Sequence, residues 1–442
     1  MAEWRKVKLS DLWIESKIES VNPNSDKRIT VRLNVQGVEK RPDRNDEKGA
    51  TKYYIRKAGQ FIYGRQNFHK GAFGIIPKEL DNFESSSDIP SFDINKECNP
   101  EWIYYFFKQG GLYKELEKYS KGTGSKRIHP DKIGHLEIPL PPRKEQDKIL
   151  NELKLQEKKI SELFSIDNKN ENYITKLRQQ ILKEAVQGKL TKQDSKEESA
   201  KELLKKIKSG KEKLIKEGKI KKEKPLPLIS DDEIPYELPS GWEWVRLGDI
   251  CRLITKGSSP NWQGVNYIED KDKGILFVTS ENVNSFNLKL INKKYLEKKF
   301  NEIEPRSILK KGDFLMNIVG ASIGRTAIFD LDIEDANINQ AVCLIRMANS
   351  LIDSKYLLNF FNSTICINYM YDKQVDMARP NLSMGNISQF LIPIPSLSEQ
   401  KRIVEKVDKL MTDCDELEKQ IKENQVNSEK LLVAVLKESF EK

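Results

Sequence analysis

The chain reads as an α+β protein: two mixed α/β globular domains separated by two long antiparallel coiled-coil helices, with an internal pseudo-two-fold repeat. Three observations predict this. A proline-bounded motif, Ile-Pro-x-Pro followed by Glu-Gln, occurs twice. Each occurrence leads into about forty residues with a heptad pattern of apolar positions. The stretch before each occurrence mixes short alternating runs with helical ones.

The repeat sets the element boundaries. Ile138-Pro139-Leu140-Pro141 with Glu145-Gln146 matches Ile392-Pro393-Ile394-Pro395 with Glu399-Gln400, an offset of 392 − 138 = 254. The same offset aligns Ile149 with Ile403, Leu163 with Leu417, and Leu182-Lys183-Glu184 with Leu436-Lys437-Glu438. Upstream, Lys57–Ile62 resembles Lys310–Leu315, and Trp102–Phe107 resembles Lys355–Phe361. The openings also match, WRKVKLSDL from Trp4 against WEWVRLGDI from Trp242. The predicted divisions are a first domain at 1–142, a long helix at 143–190, a Lys/Glu-rich helix and Pro-rich linker at 191–240, a second domain at 241–396 and a second long helix at 397–442.

In the first domain Ile29–Val35 and Phe61–Tyr63 alternate like strands, and Trp102–Phe107 reads as a buried helix. Proline cannot continue a helix, so the first long helix starts after Pro142, with Glu145 and Gln146 near its positive end. Its predicted seam is Ile149, Leu153, Ile160, Leu163, Ile174, Leu177 and Ile181, interrupted by Gln156, Asp167 and Asn170. The second seam is Ile403, Val407, Leu410, Cys414, Leu417, Ile421, Leu431 and Val435, interrupted by Asn424 and Ser428. Both stripes need a helical partner, and forty residues reach roughly 60 Å. Between the copies, Lys196–Lys224 suggests a weakly amphipathic helix, and Pro225, Pro227, Pro235 and Pro239 mark an extended linker. Its lysines suit either DNA phosphates or a solvated face. In the second domain Gly274–Thr279 reads as a strand and Tyr356–Phe361 as a buried helix.

Composition narrows the function. Of 442 residues 32% are charged, and 76 basic against 67 acidic side chains leave a net charge of +9, which permits nucleic-acid binding. No apolar run reaches the roughly 20 residues of a membrane span, and Met1–Arg5 lacks the apolar core of a signal peptide. A cytoplasmic location is expected. The five cysteines, Cys98, Cys251, Cys343, Cys366 and Cys414, are scattered like free thiols. His69, His129 and His135 have no metal or triad spacing, and no metal site is expected. Asn99-Pro100-Glu101-Trp102 lacks the second proline of an amino-methyltransferase motif. Gly320–Thr326 is one residue short of a phosphate loop and carries Arg325 where lysine is required. No catalytic residues are expected.

Nucleic-acid contact fits other segments better. In the first domain these are Arg56 and Lys57, then Arg65, Gln66, Asn67, His69 and Lys70, then the flexible basic loop bearing Lys121, Thr123, Ser125, Lys126 and Arg127. In the second they are Lys256, Ser258, Ser259, Asn261, Trp262 and Gln263, then Arg325, Asn337, Asn339 and Gln340, then Arg379 and Asn381. Arg, Asn and Gln are the side chains that read guanine and adenine edges bidentately. These segments differ between the copies, as two readers of different sequences would.

The duplicated exit into a seamed helix, the opening Gly241-Trp-Glu-Trp-Val-Arg-Leu-Gly-Asp-Ile250 and the linker Lys219–Leu228 resemble the specificity subunits of Type I restriction-modification systems. The resemblance covers essentially the whole chain. It implies that each domain is a target-recognition domain for one half of a split, asymmetric site in double-stranded DNA. It implies that the helices set the spacer and dock two methyltransferase subunits. Those partners would bring S-adenosylmethionine, and restriction/translocase subunits would bring ATP and Mg; no cofactor would sit on this chain. Two alternatives stay open: a specificity protein of a related modification or phage-defence system, and a coiled-coil scaffold without sequence-specific DNA binding. A nuclease or methyltransferase fragment is a third, to be revived by metal-dependent cleavage or cofactor turnover from the isolated chain.

Overall fold

The computed structural model describes residues 4–42, 51–120, 127–222, 224–270, 272–372 and 382–440. The chain divides into two compact units, residues 1–170 with 420–442, and residues 171–419.

The first unit holds the first globular domain. Its opening strand β1 (Arg5–Lys8) is followed by β2 (Trp13–Ser16), β3 (Phe61–Tyr63), β4 (Phe73–Ile75), β5 (Ser91–Ile94) and β6 (Glu137–Leu140). The four strands β2-β5-β3-β4, in that order, form an antiparallel sheet. Phe61, Tyr63, Phe73 and Phe92 from this sheet stack with Trp13, Phe68 and Phe107 into an aromatic core. Helix α1 (Pro100–Lys108) closes the core, capped by the Asn99 side chain, which accepts from the Glu101 N–H. Two short strand pairs, Ile29–Val31 with Val38–Lys40 and Tyr53–Arg56 with Phe83–Ser86, make a second layer.

The strand expected over Ile29–Val35 stops at Val31. Asn34 and Val35 have φ of 55° and 59°, left-handed values that a β-branched residue rarely takes. Their N–H groups donate to Lys70 O and Gly71 O, both at 2.8 Å. Those long-range bonds replace the ladder that alternation alone would predict.

The first long helix, α2, runs Arg143–Val186, and the lysine-rich α3 runs Ala200–Lys216. In the second unit α3 buries Ala200, Leu203 and Ile207 and leaves most of its lysines to solvent. The second domain repeats the first: β7 (Glu243–Arg246), β8 (Cys251–Lys256), β9 (Asp313–Asn317), β10 (Thr326–Phe329), β11 (Val342–Met347) and β12 (Leu391–Ile394). The order β8-β11-β9-β10 is that of the first sheet, strand for strand. A second sheet orders Tyr267–Ile268, Lys294–Glu297, Gly274–Val278 and Ala336–Ile338. Helix α4 (Ser354–Phe361) is capped by Asp353 as α1 is by Asn99. The second long helix, α5, runs Leu397–Glu438.

The repeated motif has the same job in both copies. Strand β1 pairs with β6, placing Val7 opposite Ile138; β7 pairs with β12, placing Val245 opposite Ile392. The Trp102 indole N–H donates to Pro139 O at 2.8 Å, and the Tyr356 hydroxyl donates to Pro393 O at 2.7 Å. The fully buried amides of Gln146 and Gln400 then tie the start of each long helix to its domain. Gln146 Oε1 accepts from the Asn99 N–H and its Nε2 donates to Pro141 O, both at 2.8 Å. Gln400 Oε1 accepts from the Asp353 N–H at 2.8 Å and its Nε2 donates to Pro395 O at 3.1 Å.

On the helices the buried column is strictly heptad: Gln146, Leu153, Ile160, Asp167, Ile174 and Ile181 on α2, and Gln400, Val407, Cys414 and Ile421 on α5. Four expected seam residues lie elsewhere. Leu163, Leu177, Leu417 and Leu431 are 47%, 44%, 46% and 53% exposed. Ile149, Ile403 and Leu410, three residues after the first column, are buried or half-buried near the start of each helix. Farther along, the half-buried positions fall four residues after it, at Phe164, Arg178 and Leu432. Asp167, expected to interrupt the seam, lies in it and is buried. Within the first unit Leu150 and Leu153 share a core with Leu436 and Phe440. Within the second, Arg178 binds Asp415 at 2.6 Å and Glu418 at 3.2 Å.

Among the described residues, a strap crosses the second domain. Buried Arg246 donates to Pro227 O, Leu228 O, Gln389 O and the Glu233 carboxylate, fixing the proline-rich linker. Arg402 pairs with Glu197, and the Trp242 indole donates to Glu399 at 3.0 Å. All five cysteines are buried and none is in a disulfide among the described residues, and burial raises the Cys98 thiol to about 12.

Candidate nucleic-acid interface

Strand order decides which loops meet. In the second domain β8 ends, β11 begins, β9 ends and β10 begins at one edge of the sheet, as the pairings Lys256 with Cys343, Asn317 with Val342 and Met316 with Thr326 require. Lys256, Arg325, Asn339 and Gln340 therefore gather at that edge although they span 84 positions (340 − 256). The loop after β8 is pinned there: a Cβ on Gly257 would lie 1.8 Å from Ile338 O, so only glycine fits. Its 3₁₀ turn, Pro260–Gln263, is held by Gln263 Nε2, which donates to Ser258 Oγ at 3.1 Å and Glu304 at 2.9 Å. Lys256, Asn261, Trp262, Arg325 and Gln340 are exposed, and Ser258, Ser259 and Asn339 half-buried.

The first domain uses the same edge of the equivalent sheet. The turn after β3 carries Arg65, Gln66, Asn67, His69 and Lys70, with Gln66 and Lys70 exposed and the others half-buried. Arg65 pairs with Glu15 at 3.3 Å, and Arg127 lies against Asp88 at 3.0 Å. The Ile128 N–H donates to Arg65 O, and the Arg65 N–H to Asp88 O, both at 2.8 Å. Glu15 and Asp88 thus orient the two arginines. Sequence alone does not single them out, because an acidic residue that orients an arginine distant in sequence carries no local signature. His69 Nδ1 is buried and, among the described residues, has no hydrogen-bond partner.

Two expected contacts are corrected. Arg56 is 1% exposed and spends all three guanidinium nitrogens on Ser85 Oγ, Ser16 O, Ser91 Oγ, Ser86 O and Ile89 O. Burial lowers its pKa to about 10. Asn337 is fully buried and donates to Asn301 and Glu304 O. Both are core residues; a basic or amide side chain in a strand-like run gives no hint of which face it takes. Lys57 is exposed but precedes β3, at the opposite end from Arg65, and bonds Asn82. Lys121, Thr123, Ser125, Lys126, Arg379 and Asn381 lie outside the described residues.

Among the described residues no group of three or more His, Cys, Asp or Glu side chains could hold a metal ion. None of their helices is long and apolar enough to cross a membrane. Gly320–Ser322 is a single 3₁₀ turn leading to β10, not a phosphate cradle followed by a helix.

The chain is similar to the Escherichia coli Type I restriction enzyme EcoEI specificity subunit, 31% identical over 60% of this chain and 45% of that one. It is 27% identical to the Escherichia coli EcoAI specificity subunit, over 80% of this chain and 65% of that one. The matched part thus spans less than two thirds of either relative. In fold it resembles the HsdS subunit from Thermoanaerobacter tengcongensis, with TM-score 0.58, 18% identity and coverage of 100% of this chain and 97% of that one. A chain from a structure of type I R-M complex assembly and conformational transition aligns with TM-score 0.67, 17% identity and coverage of 100% and 98%. The family model described as the Type I restriction modification DNA specificity domain matches twice, at residues 2–168 and 239–427, so the chain belongs to that family.

Proposed function

We propose that the chain is the sequence-reading subunit of a Type I restriction-modification complex and does no chemistry of its own. Each domain reads one half of a split, asymmetric site in double-stranded DNA. The observation that carries this reading is the duplicated sheet edge: one frame, used twice, presents a different set of Arg, Lys, Asn and Gln side chains each time. A plain scaffold would have no reason to keep the frame and vary that edge.

The long helices act as spacer and docking surface. Leu163 and Leu417 are repeat equivalents, as are Leu177 and Leu431, and all four are exposed. A twofold-repeated set of exposed leucines fits two copies of one partner. These partners are methyltransferase subunits, which supply S-adenosylmethionine, and restriction/translocase subunits complete the assembly with ATP and Mg. The cytoplasm, where such complexes meet DNA, is the proposed location.

Selection of random duplexes by the purified full-length chain tests the reading. Two short half-sites separated by a fixed gap are expected, with affinity falling steeply as salt rises. Enrichment of no motif, or of one contiguous motif, would contradict it.

A further inference from the structure

Trp262 stands apart from the other aromatic residues of the second domain. It is 82% exposed, against 51% for Tyr267, 48% for Tyr371 and 39% for Phe286, while Phe277, Phe300, Phe314, Tyr356 and Phe361 are buried. Among the described residues its ring has no aromatic or cationic neighbour. It does not sit on a loose tip. Pro260 before it and Val265 after it are buried, Gly257 packs against the Ile338 carbonyl, and Gln263 anchors the turn twice. The Trp262 N–H donates to Ser259 O at 3.2 Å. The fold therefore presents a large apolar ring to water from an anchored turn, on the loop that follows the strand ending at Lys256.

The first domain has a matching turn with different chemistry. That turn is Ser25–Lys27, capped by Asn24, where the second domain has Pro260–Gln263 after Ser259. Both turns are 3₁₀ and follow the first strand of the repeated sheet. The first domain's turn, Ser25-Asp26-Lys27, is exposed throughout and carries no aromatic side chain, so the ring is no requirement of the frame.

We propose that Trp262 is an apolar wedge that enters the duplex at one base step of the half-site read by the second domain. The argument rests on the DNA-reading function proposed above. An apolar side chain inserted between bases unstacks and kinks the duplex, and the cost is lowest at pyrimidine–purine steps. The second half-site is then read partly through its deformability, and the first is not.

The test uses the full-length chain in its assembled complex, with duplexes carrying its own motif. A mismatch that weakens stacking is placed at each step of each half-site in turn. Wild type should bind more tightly when one pyrimidine–purine step in one half-site is weakened. Trp262→Ala should lose about 5- to 100-fold in affinity for the matched duplex, as base–aromatic stacking implies, and should lose the mismatch gain. Trp262→Phe should keep part of both. The substitution is at the surface, so circular dichroism should be unchanged. Affinity within twofold of wild type with the same mismatch response would overturn the wedge and leave the sequence-reading function intact. Intact DNA affinity with lost assembly would make the indole a protein contact, which also overturns it. A wild-type complex with no motif preference would sink the function and the wedge with it.

Discussion

Three side chains illustrate how residue type and residue role part company. Gln146 and Gln400 sit in a helix's first turn, where acidic and polar residues are ordinary. Their exact repetition was visible in the sequence; their burial, and the backbone N–H each one satisfies, were not. Replacing either by alanine leaves the N–H of half-buried Asn99 or Asp353 without its partner and should cost roughly 1–3 kcal/mol, read as a lowered midpoint in urea. A loss below about 0.5 kcal/mol would refute the clamp. Arg246 is the third. Its neighbour Glu233 has a pKa held down to about 2, first by the Arg246 guanidinium and then by Ser230. A depressed acid stabilises the fold above its unfolded pKa and loses that contribution as pH falls through the folded value. The linker should therefore loosen between about pH 4.5 and 2, seen as faster pepsin cleavage around residues 225–236. Glu233→Gln should cut at the faster rate already at the upper end of that window; identical pH profiles for both proteins would contradict the assignment.

At the scale of elements, most of the expected seam residues are buried or half-buried, and four leucines, Leu163, Leu177, Leu417 and Leu431, face out instead. Steps of three and four both preserve a stripe, so Leu163 and Phe164 compete for the seam and sequence alone cannot choose. The structure gives the choice an experimental form. Ile160→Ala, in the buried column, should cost about 2–5 kcal/mol, whereas Leu163→Ala should change stability by less than about 0.5 kcal/mol. If Leu163 lies on the partner-docking face, its alanine variant should weaken recovery of methyltransferase subunits in co-purification from the host. Equal destabilisation by the two substitutions would put Leu163 back in the seam. The strand at Ile29 was cut short for a related reason: alternation reports local pattern, and the bonds from Asn34 and Val35 to Lys70 and Gly71 are long-range.

For the whole molecule, the repeat was the strongest signal because it needs no knowledge of contacts. A fixed offset of 254 joins Pro139 to Pro393 and Gln146 to Gln400, and the structure gives each pair the same partner type. The candidate interface was only partly legible. Residue chemistry picked out Lys256, Arg325 and Gln340, but strand order, which the sequence did not supply, is what brings them together. Modularity follows. Exchanging residues 1–142 for those of a relative should alter one half-site and leave the other, as read by methylation sequencing. Removing one heptad from each long helix shortens the spacer arm by about 10 Å, or about three base pairs. The gap should shrink or activity vanish, and an unchanged gap would refute the ruler.

The most direct measurement is a long-read methylome of the host with and without this gene. The sequence-reading account predicts that adenine methylation disappears at one motif, two short half-sites with a fixed gap, and nowhere else. Methylation that persists at every modified motif of an active host system, while the purified chain also selects no DNA, would contradict it.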